Sequence, residues 1–123
     1  MKKSMNMGGS IVSKNILENK GRIRWVVREE GVNHLDNGWR FLSEIDTDEF
    51  LQQPSSMVVC DWGTIFDIEP AIMPIFEMPV GTELTLIYEG DKRVFVDTYT
   101  EEPVLTVEKG YERYMPRGIR PRD

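Results

Sequence analysis

Hydrophobic and polar residues alternate most clearly over residues 22–28, and this alternation predicts a β-strand. Three apolar residues fall on one face of that strand and three arginines fall on the other, as expected where one face contacts a core. A second strand is predicted over residues 38–42, directly after the turn signal Asn37-Gly38. The two strands can pair antiparallel, and their large aromatic residues are expected to anchor the core. The predicted core residues of these strands are Ile23, Trp25, Val27, Trp39 and Phe41.

Further strands are predicted on both sides of this pair. Residues 82–88 and 93–98 alternate around a short loop containing glycine, which is typical of a β-hairpin. Residues 57–60 form a continuous apolar run, which predicts a buried central strand. Weaker patterns predict short strands over residues 10–12 and 104–107, the latter at a sheet edge.

The helices predicted from the sequence are short. Ser13 is a suitable N-cap for a helix over the next five residues, and Asp46 or Thr47 is suitable for a helix over residues 48–51. Pro70 is expected at the first position of a third helix, where its missing N–H has no cost. Helices of this length depend on packing for their stability.

These elements predict one α+β domain over residues 9–108, with a mostly antiparallel or mixed sheet of about five strands and two to three short helices. Residues 1–8 are expected to be a flexible N-terminus, and residues 109–123 a flexible basic tail. A chain of 123 residues is long enough for one such core and too short for two.

Composition points to a cytoplasmic protein. The single cysteine, Cys60, excludes an internal disulfide and fits a reducing compartment. The chain has no apolar run long enough to span a membrane, and its basic N-terminus lacks the apolar segment of a secretory signal.

Charge is distributed unevenly along the chain, whose net charge is −6. Residues 1–28 carry a net charge of +6, residues 29–89 carry −12, and residues 90–123 carry zero. The long acidic stretch argues against nucleic acid as a partner, because phosphates require Lys and Arg. It suits a basic protein partner, whose approach an acidic field accelerates. The alternative is that the acids only keep a small protein soluble.

Candidate catalytic and metal-binding residues are few, and each has an ordinary structural explanation. His34 lies in a polar loop without the His/Cys spacing of a metal site. Cys60 is expected to be an inert core thiol. Asp61, Asp67 and Glu69 follow an apolar strand and could bind Mg²⁺ or act in acid–base chemistry, but strand-end and helix-cap positions explain them as well. We therefore assign no catalytic, cofactor-binding or metal-binding residue.

The remaining candidate is a protein-binding surface around the strand over residues 38–42. Acidic residues cluster on both sides of this strand, and an aromatic side chain could anchor a partner among them. The alternative is a solvated acidic rim around buried aromatic residues. The candidate contact residues are Glu29, Glu30, Asp36, Trp39, Arg40, Glu44, Asp46, Asp48, Glu49 and Phe50.

An ordered set of short motifs over roughly residues 10–98 resembles one bacterial family. The motifs are Ile11-Val12-Ser13-Lys14, Arg28-Glu29-Glu30, Asp36-Asn37-Gly38-Trp39-Arg40-Phe41, the acidic run ending at Phe50, Asp61 with Thr64-Ile65, and Pro70-x-Ile72-x-Pro74 with Pro79-Val80-Gly81. The family, formerly a domain of unknown function, is the thirty-third immunity-protein family of bacterial polymorphic toxin systems. The resemblance implies a small cytoplasmic α+β protein, without catalytic residues, that binds and neutralises a toxin domain, here expected to be basic. A housekeeping or regulatory interaction domain and a metal-dependent enzyme stay as alternatives, and the oligomeric state stays open.

Overall fold

The computed structural model describes residues 7–108, so the predicted tail 109–123 and residues 1–6 lie outside the described part of the chain. Within it there are seven strands, three α-helices and one 3₁₀ helix. The strands are β1 (Gly9–Ser13), β2 (Ile23–Arg28), β3 (Asp36–Ser43), β4 (Met57–Asp61), β5 (Glu83–Glu89), β6 (Lys92–Asp97) and β7 (Pro103–Glu108). The helices are α1 (Lys14–Leu17), α2 (Asp48–Leu51), α3 (Trp62–Ile68) and a 3₁₀ helix (Pro70–Ile75).

All seven strands form one mixed sheet in the order β4-β1-β3-β2-β5-β6-β7. The β1–β3 pair is parallel, and the other five neighbouring pairs are antiparallel. The prediction of a mixed α+β sheet is therefore confirmed, whereas the expected number of about five strands was too low. The weak segments at both ends of the pattern do form strands, β1 and β7, because each pairs with a neighbouring strand of the sheet.

The hydrophobic core lies on one face of the sheet. Side chains from that face pack with α1, α3 and the 3₁₀ helix in one continuous cluster of buried residues. The centre of this cluster is aromatic, since Trp62 lies 6.3 Å from Trp39 and 5.7 Å from Phe41 between ring centroids. The expectation that Trp39 and Phe41 anchor the core is thus confirmed, because both are fully buried.

Trp25 was expected in the core, and this was wrong. The pairing of β2 with β3 shifts by one residue between Ile23 and Trp25, so Arg24 forms a bulge. Residues after the bulge point to opposite sides from those predicted by strict alternation. Val26 is consequently fully buried in the core, while Trp25 is 37% exposed on the other face.

The position of β4 also differs from the prediction. Its apolar run was expected to be a buried central strand, but β4 pairs only with β1 and lies at the edge of the sheet. Val59, on the face opposite the core, is 80% exposed. The predicted hairpin is confirmed as β5 and β6, which pair from Leu84–Asp97 to Glu89–Lys92.

The helix caps follow the sequence closely. The side-chain oxygens of Ser13, Thr47 and Glu69 accept backbone hydrogen bonds at the starts of α1, α2 and the 3₁₀ helix. Pro70 occupies the first turn of the 3₁₀ helix, as predicted.

Glycine is required at position 38, near the start of β3, and we expect Gly38→Ala to lower the free energy of unfolding by roughly 2 kcal/mol. Its φ is 88°, and a Cβ there would overlap the carbonyl oxygen of Glu29. Gly90→Ala is the matched control, because Gly90 also has a positive φ, of 58°, but has open space around the position of a Cβ. Urea denaturation should show a distinctly smaller loss for Gly90→Ala; equal losses would mean that the contact with Glu29 costs nothing.

Candidate functional site

The acidic candidate residues form two groups, one at each end of β3. The loop acidic group (Glu29, Glu30, Asp36) lies at the start of the strand, and the α2 acidic group (Glu44, Asp46, Asp48, Glu49) follows its end. An eight-residue strand spans roughly 23 Å. The expected continuous acidic surface is therefore divided into two separate groups.

In the loop acidic group, Asp36 is bound internally. Arg40 donates from Nη1 and Nη2 to the two carboxylate oxygens of Asp36, at 3.0 and 2.9 Å, and from Nε to Glu29 at 3.3 Å. The backbone N–H groups of Val32 and Gly38 also donate to Asp36, each at 2.9 Å. The Arg40 guanidinium, followed by these backbone donors, holds the pKa of Asp36 well below its usual range. This network fixes the loop between β2 and β3 and neutralises the charge of Asp36.

The α2 acidic group contains two further residues with internal roles. Glu44 forms ion pairs with Arg22 at 3.2 Å and Arg24 at 3.8 Å, and the hydrogen bond from Arg22 lowers the pKa of Glu44. The carboxylate of Asp46 accepts hydrogen bonds from the Ser13 hydroxyl, the Asn15 amide and the Ser43 backbone, at 2.8 to 2.9 Å. Asp46 therefore ties α1 to the end of β3.

The candidates that remain exposed are Glu29, Glu30, Asp48 and Glu49. Phe50 is half-buried in α2. Trp39 has no exposed surface, and its indole N–H donates to the Phe76 carbonyl at 3.0 Å, so it is not available for contact with a partner. Arg40 is 7% exposed and is occupied by Asp36 and Glu29.

The alternative metal site is not assembled in the structure. Within residues 7–108 there is no group of three or more His, Cys, Asp or Glu residues that could hold a metal ion. Glu69 caps the 3₁₀ helix through the Ala71 N–H at 3.0 Å and forms an ion pair with Arg93 at 3.1 Å. Burial raises the pKa of the Cys60 thiol, as expected for an unreactive cysteine. His34 lies exposed in the β2–β3 loop.

Sequence reasoning missed the face of the sheet opposite the core. The register places a continuous set of mostly apolar side chains there, which we name the open face: Ile11, Trp25, Val27, Arg40, Leu42, Val59, Thr85, Ile87, Val94 and Val96. Apart from Arg40, these residues are half-buried or exposed. Isolated exposed apolar residues are ordinary, but a continuous apolar patch marks an interaction surface.

Two hollows lie on the open face. The first, of about 240 Å³, lies where the loop residues Val32 and Leu35 meet Ile11 and Val59. Val32 is 80% exposed and Leu35 is 66% exposed, so this loop adds apolar surface to the sheet. The second hollow, of about 470 Å³, is lined by Trp25, Thr85, Ile87, Val96, Thr98 and Glu101.

A third hollow, of about 340 Å³, lies beside Tyr88 and is polar. The guanidinium groups of Arg22 and Arg93 lie 4.1 and 4.7 Å from the centre of the Tyr88 ring. Each of these arginines is paired with a carboxylate, Arg22 with Glu44 and Arg93 with Glu69. Their charges are thus compensated within the protein, which disfavours binding of an anion in this hollow.

Comparison with protein families defines the class of protein. Residues 10–96, well over half of the chain, match the model described as Immunity protein Imm33 domain. The class is that of immunity proteins, and the chain belongs to the Imm33 family, which confirms the resemblance described from the motifs. The match runs from β1 into β6 and includes both acidic groups and all ten residues of the open face. No curated protein and no solved structure matches the chain.

Among residues 7–108, no helix is long and apolar enough to cross a membrane.

Proposed function

We propose that the protein is a cytoplasmic immunity protein that neutralises a cognate toxin domain by binding it, without catalysis. The observation that carries this proposal is the family match over residues 10–96. The charge supports a basic partner, because residues 7–108 carry 19 acids and 8 bases, a net charge of −11. Such a field accelerates association with a positively charged domain.

A growth-rescue screen tests the proposal and identifies the toxin in the same experiment. Random genomic fragments of the source bacterium are expressed in a laboratory bacterium, and toxic clones are tested again with this chain or with an empty plasmid. We expect at least one toxic fragment to be tolerated only with the chain, and its product to co-purify with the chain as a stable complex.

Two results would contradict the proposal in different ways. A complete absence of rescued fragments would favour a housekeeping or regulatory interaction domain. Rescue without a stable complex, with the toxin product chemically altered, would instead indicate an enzyme.

The exposed acids of α2 are proposed to steer the basic toxin domain. We expect the double substitution Asp48→Lys, Glu49→Lys to slow association about tenfold at low salt and to weaken its dependence on salt. The matched control is Glu18→Lys, Glu77→Lys, which changes two other exposed acids and leaves the same net charge. Stopped-flow measurements with the rescued toxin domain should show the larger loss for the α2 pair. Equal losses for both pairs would show that only net charge matters.

A further inference from the structure

The open face has the size and composition of a protein interface. The six strands that contribute to the open face span roughly 24 Å and six-residue strands run roughly 20 Å, which gives a projected face of about 500 Å². In a stable complex each partner buries about 800 Å² of accessible surface, so the contact with one partner domain can cover the whole open face. The face offers aromatic and aliphatic side chains at its centre, where binding energy is concentrated in known interfaces.

Acidic residues outnumber basic ones at the border of the open face, where the register also places Lys92, opposite Glu89. Glu29 forms an ion pair with Arg40, which lies on the open face. Asp61 of β4 pairs with Gly9 of β1. Glu83 pairs with Val27 in the register, and Glu101 lines the hollow beside Trp25. The central cation, Arg40, is paired with both Asp36 and Glu29, so these three side chains together keep one net negative charge.

From this geometry we infer that the open face is the docking surface for the toxin domain, an inference that rests on the proposed function. The toxin domain would insert two apolar side chains into the hollows and surround them with Lys and Arg. The hollows lie on β1 and β2, which are separated by β3, so the two inserted side chains should be at least roughly 10 Å apart. A second copy of this chain fits poorly, because a symmetric contact would place the acidic border against itself.

Substitutions at the two hollows test this assignment with the toxin domain recovered by rescue. We expect Trp25→Ala to raise the dissociation constant by about 30-fold, because truncation of a central aromatic contact has effects of this size. Ile68→Ala is the matched control, since Ile68 is 45% exposed but lies on α3, on the covered side of the sheet. Thermal melting of each variant shows whether folding is retained.

Val59 supplies a second test, because at 80% exposure its side chain is not needed for folding. Val59→Lys and Val59→Glu both remove the apolar contact, but only lysine adds a charge that repels the Lys and Arg side chains proposed for the toxin domain. We expect Val59→Lys to weaken binding at least tenfold more than Val59→Glu. The reverse order would overturn the basic chemistry assigned to the partner.

Tryptophan fluorescence gives a readout on the unmodified chain. Trp39 and Trp62 are fully buried, so acrylamide should quench mainly Trp25. Addition of the toxin domain should protect Trp25, with the Trp25→Phe variant as the reference that lacks this signal. Protection in the free chain that disappears when residues 109–123 are deleted would assign the face to that basic segment instead.

The outcomes separate this inference from the proposed function. If the toxin domain binds and neither Trp25 nor Val59 affects its affinity, the docking surface is wrong and the immunity function stands. If no toxic fragment is rescued, both are overturned. A concentration-dependent dimer that Val59→Lys dissociates would assign the open face to a second copy of the chain.

Discussion

Replacement of Trp39 by alanine is expected to lower the free energy of unfolding by about 4 kcal/mol, the loss typical of a buried large aromatic side chain. Trp39 is fully buried, lies 6.5 Å from Phe41 and 6.3 Å from Trp62 between ring centroids, and donates its indole N–H to Phe76. Its removal would leave a cavity at the aromatic centre of the core. Urea denaturation followed by circular dichroism measures the change.

Trp25→Ala is the matched control for this prediction, because it is the same substitution on the opposite face of the sheet. Trp25 is 37% exposed on the open face, so we expect a smaller loss, of about 2 kcal/mol. The two variants therefore separate the roles of the two tryptophans: one stabilises the fold and the other is available for contact. Comparable losses in stability would contradict the bulge at Arg24, and with it the exposure of Trp25.

The same bulge marks a limit of prediction from alternation. Residues 23–28 do form a strand, but strict alternation assigns Trp25 and Val27 to the core. A bulge of one residue reverses every later position, and nothing in the local pattern distinguishes Trp25 from Val26 as the core residue. The decisive information is the pairing of β2 with β3, which is non-local.

The limits for the candidate site are of the same kind. The acidic residues are close in sequence, but the two groups lie at opposite ends of the extended strand β3. They therefore do not form one surface. Partners of the acids also come from distant segments: Glu44 meets Arg22 across the sheet, and Asp46 meets Ser13. Caps and turns depend on neighbouring residues, and for this reason Ser13, Thr47 and Pro70 were predictable.

The open face illustrates the converse case. Each strand that contributes to it contains apolar residues on both sides, such as Ile11 beside Val12 and Ile87 beside Leu86. Sequence alone does not say which side receives the helices. Only the assembled sheet shows that α1, α3 and the 3₁₀ helix contribute to the core on one face, leaving apolar surface on the other.

Arg40→Met is the second substitution with a large expected effect, a loss of about 3 kcal/mol in the free energy of unfolding at pH 7. Methionine keeps the packing of the arginine stem but leaves the Asp36 carboxylate, whose side chain is 11% exposed, without its cation. Arg22→Met is the matched control, because the Arg22 side chain is 58% exposed in its pair with Glu44. Exposed pairs of this kind contribute about 0.5 kcal/mol.

The dependence on pH identifies the Asp36 carboxylate as the cause of this loss. Because the pKa of folded Asp36 is depressed below its unfolded value of about 3.9, the pair stabilises the protein fully above that value and loses its contribution as the pH falls further. The difference between wild type and Arg40→Met should therefore shrink by roughly 1 kcal/mol between pH 7 and pH 3. Adding Asp36→Asn to Arg40→Met should recover part of the stability, since it removes the unpaired charge and the single amide oxygen can still accept from one of the two backbone donors, Val32 or Gly38. A difference that is constant with pH, together with no recovery in the double variant, would show that Arg40 acts through packing alone.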